Sequence, residues 1–104
     1  MEQLRVEENR TEELCQKLRQ ELKRGASIRE LLIEIKKHHD LKTNNRWCFL
    51  SAEAFNKAFK LNIRHVKDLS KCVLFGGTLI DDCEMERQFR EHIERARSRW
   101  EIEK

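Results

Sequence analysis

Proline is absent from this chain of 104 residues, and glycine occurs only at Gly25, Gly76 and Gly77. These two residue types are the strongest turn formers, so their scarcity argues against an all-β sandwich, which needs frequent turns. Collagen-like and flexible-linker chains are excluded on the same ground. A mostly helical chain is left, and its length suits one helical domain, 1–104, with one core. Hydrophobic residues make up 38% and charged residues 39%, which is polar for a globular chain but enough for a modest core. No apolar run approaches the ~18–20 residues of a membrane span, so no membrane partner is expected. No signal-peptide pattern opens the sequence, and a reducing cytoplasm is the expected compartment. Cys15, Cys48, Cys72 and Cys83 stand among apolar residues at helix-like positions, which predicts reduced, buried thiols acting as small hydrophobes.

Periodicity places the helices. Leu14, Cys15, Leu18 and Leu22 recur every three to four residues, the mark of an amphipathic helix that Gly25 terminates. Upstream, 1–11 holds few large apolar side chains and reads as a frayed extension or as a helix ordered by a partner. A coiled coil of 1–24 with a second copy is disfavoured, because Glu7 and Thr11 fall on the seam that starts at Leu4. Ser27 and Glu30 form a capping box for a second helix with Ile28, Leu31, Leu32 and Ile35 on one face and Ile33 on another. A short helix with more than one apolar face belongs in the centre of the core. Lys36, Lys37, His38 and His39 crowd its last turn, where cations complement the helix dipole.

Thr43, Asn44 and Asn45 then read as a loop. Ser51 is the expected N-cap of a third helix, stapled by Leu50 on Phe55, with Phe55, Ala58 and Phe59 buried. Trp47 and Phe49, just ahead of it, would seal it to the second helix. Asn62 caps a fourth helix whose expected inner face is Ile63, Val66 and Leu69. Residues 73–80, with Gly76-Gly77 at their centre, read as an apolar loop in preference to a miniature hairpin. Asp81 and Glu84 form a second capping box before a long C-terminal helix, 82–100, with Met85, Phe89, Ile93, Ala96 and Trp100 in one stripe. Its outer face pairs Glu86 with Arg90 and Glu91 with Arg95 at i,i+4 spacing. The expected fold is all-α, a compact bundle of four to five helices.

Charge is uneven. Residues 36–71 carry 9 basic against 3 acidic side chains, a net of +6, whereas 1–35 and 72–104 have nets of −1 and −2. A positive belt of this kind is either a solvated lysine-rich surface with the acidic ends folded back beside it or a face that attracts nucleic acid or an acidic protein. Structural zinc wants close Cys/His pairs, which are missing, so no metal and no cofactor is expected. No cysteine lies in a nucleophile signature and Gly76-Gly77 lacks the partners of a phosphate loop, so no enzyme is expected. The pair of helices over 52–71 matches five apolar positions of a DNA-binding helix-turn-helix: Phe55, Phe59, Leu61, Val66 and Leu69. Three positions depart from it. Asn56 stands at the small position, Lys60 at the turn glycine, and Ile63 where a polar residue is common.

The segment 61–71, with its Lys67-Asp68-Leu69 ending, resembles the helix-turn-helix stretch in the C-terminal domain of the bacterial ribosomal stalk protein. That resemblance implies a helical corner and carries no function. The whole chain, by its size, its dense charge of both signs and its aromatics Trp47, Phe75 and Trp100, resembles small bacterial immunity proteins that neutralise toxins. The resemblance implies a non-enzymatic protein-binding module, an antitoxin whose partner is a toxin domain that either has an acidic contact face or is bound through the acidic arms of this chain. The residues expected to bind are Trp47, Lys57, Lys60, Arg64, Lys67, Lys71 and Phe75, with 44–50 and 73–80 as flanking loops. The alternative is a nucleic-acid-binding regulator that uses the 52–71 pair.

Overall fold

The computed structural model describes the backbone of residues 2–39 and 43–101 and the side chains of 12–39 and 43–101. Expectations about seam side chains in 1–11, and the belt residue Lys42, lie outside the described side chains. Among the described residues the chain is all-α with no strand: α1 (Glu2–Lys23), α2 (Ile28–His39), α3 (Asn44–Phe59), α4 (Ile63–Val66), α5 (Asp82–Arg95) and α6 (Arg97–Trp100). Two 3₁₀ turns, Lys67–Lys71 and Val73–Phe75, follow α4. The Cα radius of gyration is 13.3 Å, against about 13 Å for a compact chain of 100 residues.

Local chemistry sets most boundaries. Beyond α1, Gly25 takes φ +101° and its amide bonds Leu22, while Ala26 bonds Glu21, the paired closure of a glycine-ended helix. Ser27 and Glu30 cap α2 reciprocally, at 3.1 and 2.8 Å. A second carboxylate joins them. Glu86 of α5 accepts from the Ile28 amide at 2.7 Å, and Arg90 holds Glu86 at 2.6 Å while donating to the Ala26 carbonyl. The Glu86–Arg90 pair is thus a clamp between α5 and the α1–α2 corner, in addition to its i,i+4 role. Asp81 caps α5 by accepting from the Glu84 amide at 2.8 Å. The return bond of a capping box is not made, because the Glu84 carboxylate is taken by Arg87 and Gln88.

Helix α2 is the centre of the core, with Ile28, Leu31, Leu32 and Ile35 fully buried. Leu14, Leu18 and Leu22 of α1, Phe55, Ala58 and Phe59 of α3, and Met85, Phe89 and Ile93 of α5 complete that core. Phe55 packs edge-on against both Phe59 and Phe89.

Three expectations are corrected here. Thr43, whose side chain accepts from the Arg46 amide, caps α3, so 43–45 is a helix start and not a loop. Ser51 is consequently inside the helix and buried, and caps nothing. The stripe Met85 to Trp100 is buried as expected, but the helix breaks at Ala96 (φ −89°, ψ 3°). At that break the Trp100 indole donates to the Ile93 carbonyl at 2.9 Å. Finally, Cys83 is exposed and Cys48 half-buried, leaving Cys15 and Cys72 as the buried thiols.

The 73–80 segment is a packed loop. Cys72 and Ile80 make one isolated parallel bridge, and the Gly77 amide closes on the Cys72 carbonyl at 2.9 Å. A Cβ on Gly77 would stand 2.4 Å from the Lys71 carbonyl carbon, so only glycine permits this approach.

Candidate functional site

The corner between α3 and α4 is built on one unusual residue. Lys60 ends α3 in the left-handed conformation (φ 55°, ψ 34°), the geometry for which the helix-turn-helix pattern uses glycine. Asn56 then donates to the Leu61 carbonyl at 2.7 Å, and Asn62 accepts from the Arg64 amide at 2.9 Å. Leu61, Val66 and Leu69 turn inward as expected. The second arm of the corner, however, is one α-turn of four residues that tightens into 3₁₀ geometry. It is shorter than the continuous recognition helix of the motif.

This short arm turns Ile63 outward, 64% exposed, where an inner position was expected. On α3 the early start fixes Trp47, Ser51, Ala54, Phe55 and Ala58 as the inner face, and Phe49 falls opposite them at 66% exposure. Phe49 and Ile63 line one groove of about 400 Å³ with Ala52, Asn56 and Val66. Glu53, Lys57 and Lys67 are the charged residues of its wall. Two large exposed apolar side chains in one groove, edged by cations, make the most distinctive surface among the described residues.

The expected site residues divide. Lys57 and Lys67 meet in that groove. Lys60 lines a different cleft with His65. Arg64 is exposed, and Lys71 is held by Asp68 at 3.2 Å. The aromatic residues are not at the surface. Trp47 and Phe75 are buried against each other with ring centres 4.6 Å apart, and the Trp47 indole donates to the Leu32 carbonyl at 2.7 Å. Lys36 covers the Trp47 ring at 4.8 Å, and Trp100 is buried against Phe59. These rings are therefore parts of the core, with Trp47 sealing α3 to α2. In the 73–80 loop it is Val73 and Leu79 that are exposed.

Titration separates the thiols from the surface chemistry. Burial pushes the Cys72 thiol up to about 12, with Cys48 and Asp68 adding to the effect, and burial likewise raises Cys15 and Cys48. A thiol held protonated is a poor nucleophile. No group of three or more His, Cys, Asp or Glu residues among those described is arranged to hold a metal ion. Family models, curated proteins and solved structures yield no match to this chain.

Proposed function

We propose that the protein is a binding module that takes an acidic, amphipathic segment of another protein into the α3–α4 groove. The single observation that carries this reading is the shared exposure of Phe49 and Ile63 beside Lys57 and Lys67. Leaving two large apolar side chains in water costs burial energy that a partner's side chain would recover, at about 25 cal/mol per Å². Cations at the rim favour a partner face of negative charge and raise its rate of encounter. Lys60 and Arg64 add to that field from the adjoining turn, whereas Lys71 is already compensated by Asp68. No chemistry beyond recognition is assigned to the groove. A toxin domain with an acidic contact face has the right chemistry, and it is a partner that the resemblance to immunity proteins implies.

The test is affinity capture with the wild-type chain beside two variants, Phe49→Asp with Ile63→Glu, and Lys57→Glu with Lys67→Glu. All four positions are exposed, so helical CD should be preserved. The expected result is an acidic partner retained by the wild type, lost on the first variant and weakened on the second. Equal recovery on all three would remove the groove from the model. Enrichment of nucleic acid, with steep loss at higher salt, would favour the regulator reading instead.

A further inference from the structure

On the other side of the α3–α4 corner lies a second, smaller cleft of about 260 Å³, lined by Lys60, His65, His92, Arg95 and Arg99 over a floor of Leu61, Asn62 and Ala96. Five of its eight lining residues are basic, and none is a carboxylate. The ends of α3 and α5 both open on it. Helix C-termini stabilise cations, which explains how this chain can gather so many there. That stabilisation does not supply every donor with a partner. Arg95 is paired with Glu91 at 3.0 Å, but Lys60 and Arg99 form no ion pair among the described residues. His65 and His92 stack face to face, 3.8 Å apart and 5° from parallel.

We propose that this cleft is a binding site for a phosphoryl group, and that binding is coupled to protonation of the His65–His92 pair. The site goes beyond the groove reading and uses none of the residues that line the groove. A phosphoryl group brings one charge as a backbone diester or up to two as a free anion, together with several acceptor oxygens for these donors. Arginine's planar fork matches phosphate oxygens in pairs. The volume lies just below that of ordinary ligand cavities, which begin near ~300 Å³, and suits a compact anion better than a large cofactor.

The stacked imidazoles make the site responsive to pH. Two protonated rings at that distance repel each other, so the free protein favours at most one charge on the pair. Burial first, then His65, holds His92 below the ordinary histidine value, with Arg95 acting in the same direction, while Glu91 and Asp68 oppose them. An anion between the rings and Lys60, Arg95 and Arg99 would stabilise the charged form. Binding therefore takes up protons and strengthens as pH falls through the histidine range.

The test follows the four histidine ring signals by NMR in the full chain, with inorganic pyrophosphate as the probe. The expected result is an upward move of the His65 and His92 titration midpoints, with His38 and His39 unmoved, and tighter binding at pH 6 than at pH 8. Arg99→Gln, at an exposed position, should weaken binding about tenfold, the usual scale of one charge-assisted contact. A short DNA duplex run in parallel separates the two sources of the group. Tighter binding of duplex, felt at the same two rings, places the phosphoryl group on a nucleic-acid backbone, and preference for pyrophosphate makes it a free anion. No movement of His65 and His92 with millimolar pyrophosphate or with duplex overturns the proposal. Equal movement of all four histidines, or undiminished binding by Arg99→Gln, does the same.

Discussion

Replacing Ser51 by alanine should stabilise this protein. Ser51 is fully buried inside α3, and its hydroxyl has no hydrogen-bond partner among the described residues. A buried hydroxyl without a partner costs about 1–3 kcal/mol. Alanine removes that cost and adds up to about 0.5 kcal/mol of helix propensity. The oxygen leaves a void of about 10 Å³, which costs only about 0.2 kcal/mol at the usual cavity coefficient. The net gain is about 1–3 kcal/mol, or a rise of roughly 5–15 °C in Tm for a domain of this size. Thermal and urea unfolding followed by far-UV CD measure it directly. The sign is the decisive part. Were Ser51 an N-cap, the same change would lower stability by about 1 kcal/mol. A reduced Tm would therefore refute both the burial argument and the start of α3 at Asn44.

Two glycine substitutions should act in opposite directions. Lys60→Gly relieves a left-handed lysine and should raise stability by about 0.5–1 kcal/mol in the same melts, with an unchanged or lower midpoint counting against the strain argument. Gly77→Ala places a methyl group against the Lys71 and Ser70 backbone, and should cost at least about 2 kcal/mol and loosen the 71–80 loop in hydrogen exchange.

Legibility followed the range of the interactions. The Gly25 terminus, the Ser27–Glu30 box and the Asn62 and Asp81 caps are contacts within a few residues, and each stands where its residues predict. The central position of α2 was legible because its apolar residues cover more than one face. The start of α3 is not legible in the sequence, because both Thr43 and Ser51 are good capping residues and local propensity does not choose between them. Burial chose. Starting at Asn44 puts Trp47 one and two turns ahead of Ser51, Ala54 and Phe55 on a single core face. That choice also turned Phe49 outward. Ile63 did carry a signal, since it departs from the polar residue expected at its position, and it is indeed solvent-facing.

Composition and short-range patterning by themselves determined an all-α chain, most of its helix ends and the apolar stripes of α1, α2 and α5, because those depend on contacts one helical turn apart. Only the tertiary structure decided which aromatics were core and which were surface. It also decided that the central cations divide between an apolar groove and a histidine cleft. Those outcomes depend on how α3, α4 and α5 rotate against one another, and that rotation is set by packing across the whole core.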